Sequence, residues 1–219
     1  MNDPAKDESV WTYLKSRGVS RRDFMKFCAA TAATLALPSP FIVRIAEALD
    51  RKQRPSVVWL EFQDCAGNTE AMLRASKPTI EQLILDVISL DYHETIMAPA
   101  GKQAVKSLAD VVKNKKGKYI AIVEGSIPLK DGGVYCCVGG RSAIDIAREV
   151  CGNAFVTLAV GSCAAWGGIP SAHPNPTGAV GVKEAVPGIT VVNLPGCPEN
   201  VENITATIVH YLTFGTLPP

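Results

Sequence analysis

Four strongly apolar runs follow residue 55 and are separated by more polar, glycine-containing stretches. They are SVVWLEF (56–62), KYIAIVEGSIP (118–128), the first half of AFVTLAVGSCAAWGG (154–168) and the first half of ITVVNLPGCPEN (189–200). Short runs that are apolar at nearly every position are typical of strands buried on both faces. The pattern therefore predicts four strands, the last two ending in glycine- or proline-rich turns.

Three other stretches carry apolar residues at helical spacing. They are TIEQLILDVISL (79–90), RSAIDIAREVCG (141–152) and NVENITATIVHYLTFG (200–215). Thr79 is a candidate N-cap, and the glycines that close the last two stretches are candidate stop signals. Alternating strands and helices predict an α/β fold, a doubly wound parallel sheet with helices on both faces. Such sheets bind ligands outside the carboxyl ends of their strands.

The start of the chain has the features of an export signal. Arg21 and Arg22 stand in VSRRDFMKF, and CAATAATLALP follows as a weakly hydrophobic stretch. At about 11 residues this stretch is too short for a membrane span of about 20 residues. AEA at 46–48 is a small-x-small site, so we expect cleavage after Ala48. The order of these features favours a twin-arginine signal peptide over 1–48 rather than an ordinary basic amphipathic helix.

Composition fits a globular domain over 49–219. The chain has 219 residues, of which 47% are hydrophobic and 20% charged, and its formal net charge is +1. It can bury a substantial core, but it has no excess charge that would attract nucleic acid, so no nucleic-acid partner is expected. Because twin-arginine export carries folded proteins, we expect the protein in the periplasm or on the outer face of the cytoplasmic membrane.

Three of the seven cysteines occupy equivalent places in the chain. Cys65 follows the first apolar run, Cys163 the third and Cys197 the fourth. Because parallel strands place their carboxyl ends at one edge of the sheet, the three thiols should converge there. A single one of them could be a small buried apolar residue, but three at matching positions indicate a metal site.

The type of metal group follows from the ligands and their spacing. Three thiolates suit zinc or an iron–sulfur cluster. Paired C-x-x-C spacing, which is typical of zinc ribbons, does not occur, so ligands dispersed over several loops favour a cluster. Glycines near the cysteines would let the backbone approach a bulky inorganic group; they are Gly67, Gly161, Gly167, Gly168 and Gly196.

Longer motifs resemble a known family. EGSIPLKDGGVYCCVGG, GSCAAWGGIPSAHPNPTGA, NLPGCPEN and the stretch that begins VVWLEFQDCAGNTE are similar to the small, electron-transferring subunit of nickel-iron hydrogenases. The resemblance covers about residues 56 to 217 and implies a flavodoxin-like fold with a proximal four-iron, four-sulfur (4Fe-4S) cluster held by four cysteines. Cys65, Cys163 and Cys197 match three of these positions, and the fourth falls on Asn68.

The fourth ligand is therefore an open question. An asparagine amide is a poor iron ligand, whereas a carboxylate is a reasonable one, and Asp64 adjoins Cys65. A subgroup of oxygen-insensitive family members uses three cysteines and one aspartate, and this resemblance makes Asp64 the expected fourth ligand. Many members carry glutamate at the position of Asp64, where it is associated with proton movement, so a proton-carrying role is the alternative.

The resemblance also implies partners. A large subunit would hold the nickel-iron centre where dihydrogen is split, and this chain, which has no expected catalytic residue, would pass electrons to an acceptor such as a cytochrome or a quinone-linked carrier. Members of the family continue past a point like TFGTLPP into a C-terminal domain with further clusters. The 219 residues do not include that domain, which leaves either an incomplete chain or a short form with one cluster.

Two other functions stay open. One is an iron–sulfur subunit like that of the quinone-reducing respiratory complex, which shares a PGCP-like loop but has paired cysteines in its first loop. The other is a non-catalytic metal-binding or scaffold protein derived from a hydrogenase subunit, which bound zinc would favour.

Several further residues receive structural interpretations. Cys136, Cys137 and Cys151 are interpreted as packing residues, and His93 as a histidine hydrogen-bonded beneath a loop. Trp166 either shields the cluster from water or belongs to the core.

Overall fold

The computed structural model describes residues 9–16, 18–51, 54–76, 79–80, 83 and 87–218. Helices run over Val10–Ser16 (α1), Arg21–Thr34 (α2), Pro40–Arg51 (α3), Gly67–Leu73 (α4), Lys102–Asn114 (α5), Ala143–Gly152 (α6), Gly161–Trp166 (α7), Val182–Ala185 (α8) and Val201–Phe214 (α9). Strands run over Ser56–Glu61 (β1), Ser89–His93 (β2), Tyr119–Glu124 (β3), Ile127–Pro128 (β4), Cys137–Val138 (β5), Arg141–Ser142 (β6), Val156–Val160 (β7), Ala179–Val180 (β8) and Val191–Leu194 (β9).

Five strands form the central sheet, in the order β2-β1-β3-β7-β9. β1, β3, β7 and β9 run parallel, with Glu61 opposite Glu124, Glu124 opposite Val160, and Val160 opposite Leu194. The carboxyl ends of these four strands therefore stand level at one edge. The strand order reverses beside β1, as in flavodoxin-like sheets, and this confirms the predicted α/β class.

Apolar side chains explain why these segments form strands at the centre of the fold. Every residue of β1, β3 and β7 is buried, including Trp59, Ile122 and Leu158. Strands without a polar face must be covered on both sides, so they occupy the middle of the sheet. Leu108 of α5 and Ile144 of α6 belong to the core cluster that covers them.

Two glycine-rich places differ from the sequence prediction. The predicted strand 118–128 divides into β3 and β4, because Gly125 adopts a φ of +90° and turns the chain out of the sheet. GSCAAW, which was expected to be a turn, forms the short helix α7. Gly167 ends this helix in the left-handed conformation, with φ 92°.

The helix predicted over 79–90 extends too far, because Ser89 and Leu90 belong to β2. Much of the remainder of that prediction, 81–82 and 84–86, lies outside the described residues. The hydrophobic pattern did not indicate α4, α5 or β2. The predicted helix 141–152 is confirmed as α6, and 200–215 as α9 with Gly215 as its left-handed cap.

The chain divides into two compact units. One comprises 1–55, 72–89 and 200–219, and its described part includes α1, α2, α3 and α9. Within this unit the Arg44 guanidinium lies 4.9 Å from the ring centroid of Phe41 and 5.4 Å from that of Phe214. Among the described residues, no helix is both long and apolar enough to cross a membrane. The other unit, 56–71 and 90–199, contains all the candidate site residues.

Candidate metal centre

Three loops at the carboxyl edge of the sheet carry the three cysteines. Cys65 lies between β1 and α4, Cys163 lies in α7 directly after β7, and Cys197 follows β9. All three line one cavity of about 80 Å³, together with Asp64 and Asn68. The convergence expected from the parallel topology is therefore present, although the cysteines are far apart in sequence.

A hydrogen-bonded contact holds two of these loops together. The backbone N–H of Ser162 donates to the carbonyl oxygen of Gly196 at 2.8 Å, and the Ser162 hydroxyl lies 3.2 Å from the same oxygen. Ser162 precedes Cys163, and Gly196 precedes Cys197. The spacing of these two cysteines is consequently fixed by the backbone on either side of the cavity.

The backbone of two glycines approaches cysteine sulfurs closely, and at Gly168 the approach leaves no room for a Cβ. A Cβ on Gly168 would lie 2.4 Å from the Sγ of Cys163, and a Cβ on Gly67 would lie 3.1 Å from the Sγ of Cys65. Gly168 also has φ 54° and ψ −145°, which other residues rarely adopt. The absence of a side chain at these two positions therefore lets the backbone lie close to both sulfurs.

The environment of Cys163 holds its thiol in the protonated form. Burial raises the pKa of Cys163, and the negative charges of Cys197, Cys65 and Asp64 would raise it further. The backbone N–H of Ile169 donates to the sulfur and acts in the opposite direction. A positive charge in the cavity, such as a metal ion or an iron–sulfur cluster would supply, would favour the Cys163 thiolate.

Asp64 lines the same cavity from an exposed position in the Cys65 loop. Its Oδ2 accepts a hydrogen bond from the backbone N–H of Ala66 at 3.1 Å, which orients the carboxylate within the turn before α4. Partial burial of the carboxyl group raises the pKa of Asp64, and the charge of Glu124 adds to this. Such a carboxylate gains more from a nearby cation than one in open water.

Carboxylates also cluster beside the cysteines. Among the described residues, Glu61, Asp64 and Glu124 have ligand atoms that all lie within 4.8 Å of one another. Glu61 and Glu124 are buried, whereas Asp64 is exposed. Asp64 therefore lies between the cysteine cavity, which it lines, and two buried acidic side chains.

Glu124, which the sequence analysis did not single out, supports the Cys65 loop. Its Oε1 accepts from the backbone N–H and the Nδ2 of Asn68, at 2.8 Å and 3.0 Å. Its Oε2 accepts from the backbone N–H and the Oγ1 of Thr69, at 3.1 Å and 2.8 Å. Glu124 is fully buried, and its carboxylate completes the first turn of α4. In the sequence, Glu124 is marked by being a charged residue at the end of an otherwise apolar strand.

His93 is a buried, hydrogen-bonded histidine, as predicted from the sequence. It is fully buried, its ring stacks on Trp59 at 5.2 Å, and its Nδ1 accepts from the backbone N–H of Thr95 at 3.3 Å. Burial lowers the pKa of His93 to about 4, so the ring is neutral at pH 7. Burial also raises the pKa of the neighbouring Glu94 to about 7.

The remaining candidates divide between the core and the surface. Cys151 is 2% exposed and Cys136 packs against the core cluster, as predicted, whereas Cys137 is exposed and the packing interpretation is wrong for it. Trp166 is 62% exposed and Ile169 is 84% exposed. Trp166 therefore does not belong to the core.

Family models match two parts of the chain. Residues 65–211 match the family described as NADH ubiquinone oxidoreductase, 20 Kd subunit. Residues 18–38 match the twin-arginine translocation pathway signal sequence, which supports the expected export route.

Individual relatives are hydrogenase small subunits. The chain is 47% identical over 207 residues to the Hydrogenase-2 small chain of Escherichia coli K12, covering 94% of this chain and 56% of the relative. It is 48% identical over 202 residues to the periplasmic NiFe hydrogenase small subunit of Solidesulfovibrio fructosivorans, covering 92% of this chain and 64% of the relative. It thus spans little more than half of the former and less than two thirds of the latter.

The fold of the chain is also similar to that of a solved structure. The crystal structure of a reduced, active form of the Ni-Fe-Se hydrogenase from Desulfomicrobium baculatum matches with a TM-score of 0.73 at 32% identity. The match covers 76% of this chain and 67% of that chain.

Proposed function

Because the chain belongs to the family of nickel-iron hydrogenase small subunits, we propose that it is the electron-transfer subunit of a nickel-iron uptake hydrogenase. In this role it receives electrons from dihydrogen oxidation at a partner large subunit and passes them on through a proximal 4Fe-4S cluster. One observation carries the proposal: Cys65, Cys163 and Cys197, from three separate strand–loop units, line one cavity.

The cluster ligands in this proposal are the three cysteines and Asp64. The cavity suits such a group because cysteines from three separate strand–loop units line it together with the carboxylate residue Asp64. When bound, a 4Fe-4S cluster accepts and releases one electron at a time. An oxygen ligand in place of a fourth thiolate changes the local charge and donor strength, and therefore the reduction potential.

The partner supplies the catalytic centre. Oxidation of one dihydrogen molecule yields two protons and two electrons, and we assign this step to a nickel-iron centre in the large subunit. Two large apolar side chains near Cys163, those of Trp166 and Ile169, are mostly exposed in the isolated chain, which supports a partner that covers this face. The downstream acceptor in this proposal is a cytochrome or a quinone-linked carrier.

Export completes the proposal. The signal peptide over 1–48 would direct the folded chain through the twin-arginine route and be cleaved after Ala48, leaving the iron–sulfur domain at 49–219. The protein would then act in the periplasm or on the outer face of the cytoplasmic membrane.

The proposal is tested by metal analysis of the chain purified anaerobically with its co-expressed large subunit. We expect about four irons and four acid-labile sulfides per chain and an electron paramagnetic resonance (EPR) signal from the reduced cluster. Asp64→Ala should alter this signal. Asp110→Ala, which removes an exposed carboxylate paired with Lys106 on α5, should not. Well-folded protein that contains zinc, or no metal, would overturn the proposal and favour a scaffold protein.

A further inference from the structure

Asn68 contacts all three cysteine-bearing loops. It lies three residues after Cys65, at the start of α4. Its Nδ2 lies 3.5 Å from the carbonyl oxygen of Val160, the residue that ends β7 shortly before Cys163. Its Oδ1 accepts from the backbone N–H of Glu199, two residues after Cys197, at 2.8 Å. One buried side chain therefore connects three loops that are distant in sequence.

The chemistry of the partners fixes which way the amide of Asn68 points. Its Nδ2 also donates to Oε1 of Glu124 at 3.0 Å, and a carboxylate oxygen requires a donor. The backbone N–H of Glu199 requires an acceptor, which only Oδ1 can provide. Both N–H groups of the amide and its oxygen are thus engaged with protein groups. Coordination of iron by Oδ1 would break the contact with Glu199.

The backbone at Gly161 packs closely against the amide of Asn68. A Cβ on Gly161 would lie 2.5 Å from Nδ2 and 3.0 Å from Oδ1 of Asn68. Gly161 has φ 83° and begins α7, so the backbone that leads to Cys163 rests directly on the amide. A side chain at position 161 would therefore displace the amide or the loop.

We propose that Asn68 is a positioning residue that sets the relative places of Cys65, Cys163 and Cys197, and that it is not an iron ligand. It holds the three loops together through Glu124, Val160 and Glu199. Any effect of Asn68 on a cluster rests on the proposed function, whereas the connection between the loops does not.

The first test uses the metal-free full chain and amide hydrogen exchange. Loss of the buried hydrogen bonds in Asn68→Ala should speed exchange at least about tenfold in all three segments, 65–71, 161–167 and 195–200. Asn68→Asp should do the same, because a carboxylate cannot donate to Glu124. Asn153→Ala is the matched control. It removes an amide at the C-terminal cap of α6 that donates to the carbonyl oxygen of Glu149 at 2.7 Å, and it should leave all three segments unchanged.

The second test uses the iron-loaded chain with its partner. Asn68→Ala should shift the reduction potential and the EPR signal of the cluster, and Asn153→Ala should leave both unchanged. Asn68→Asp separates the role of iron ligand from that of positioning residue. If Asn68 were a ligand, the Asn68→Asp protein would keep its iron and show a changed EPR signal. Amide exchange in its metal-free form would stay at the original rate. That result would overturn the proposal, and so would unchanged exchange in Asn68→Ala.

A measurement on the unmodified chain covers the case in which both variants fail to fold. The amide of Glu199 should exchange slowly in the metal-free protein, because Asn68 accepts its hydrogen bond in a buried position. Exchange of this amide at the rate of an exposed one would overturn the proposal. A chain that binds no iron but shows the protected amide would refute the proposed function and leave the role of Asn68 standing.

Discussion

Replacing Gly168 with alanine tests whether the backbone beside Cys163 determines where its sulfur lies. The added Cβ would lie 2.4 Å from Sγ, 2.9 Å from Cα and 3.1 Å from N of Cys163. Rotating the cysteine side chain cannot relieve the contacts with its backbone atoms. Because non-bonded carbon atoms prefer separations of about 3.5–4.0 Å, the loop must shift by roughly 1 Å. Metal–ligand distances tolerate only about 0.2 Å.

The substitution also has a cost that is unrelated to the cysteine. Gly168 has φ 54° and ψ −145°, and a residue with a Cβ in such a conformation costs about 1–3 kcal/mol. Gly101 provides the matched control, because it has φ 55° and ψ −128° with nothing within 4 Å of its added Cβ. Gly101→Ala should show the backbone strain alone.

The assay is iron and sulfide content per chain together with the free energy of unfolding, for both variants copurified with the large subunit. Both should lose about 1–3 kcal/mol of stability from backbone strain, but only Gly168→Ala should lose most of its iron and sulfide. Equal iron content in the two variants would refute the reasoning that the approach of Gly168 fixes the position of Cys163.

Three further predictions concern the support of the site and the core. Glu124→Gln should lower the free energy of unfolding by about 2–3 kcal/mol in denaturant titrations, because an amide cannot accept all four hydrogen bonds that the buried carboxylate now receives. Between pH 4 and pH 6.5, the free energy of unfolding should rise by about 2–3 kcal/mol in Glu94→Gln and change less in the unmodified protein. His93, whose pKa is lowered from 6.5 to about 4, makes the folded protein more stable as the pH rises. Glu94, whose pKa is raised from 4.5 to about 7, makes it less stable over nearly the same pH range, and the variant lacks this effect. Equal slopes of unfolding free energy against pH in the two proteins would contradict this. Leu158→Ala, in the middle of the sheet, should cost about 2–5 kcal/mol by thermal or chemical unfolding, and a loss below 1 kcal/mol would show that β7 is not tightly packed.

Local sequence patterns predicted the strands of the buried sheet better than the segments around them. β1, β3 and β7 are apolar at nearly every position, so their burial was evident from composition alone. β2 contains Asp91, His93 and only two apolar residues, so no apolar run marks it as a strand. Its pairing with β1 in the folded sheet makes it one. The helix α7 was missed because glycine and serine at its start are typical of turns, and packing at the sheet edge overrides that local preference.

The sequence by itself determined that three cysteines meet. Each follows an apolar run, and parallel strands with right-handed crossovers bring their carboxyl ends to one edge whatever the detailed packing. The same reasoning, with the family resemblance, left one position undecided, because Asn68 stands where a fourth cysteine was expected.

Only the tertiary structure decided what Asn68 contacts. Its partners Glu124, Val160 and Glu199 come from β3, the end of β7 and the loop after β9, and no local pattern links residues so far apart. Hydrogen bonds depend on distances of a few tenths of an ångström and on direction, whereas hydrophobic burial depends mainly on area. The periodicity of the chain therefore fixes which strands are buried, and the packed fold fixes which polar groups meet at their ends.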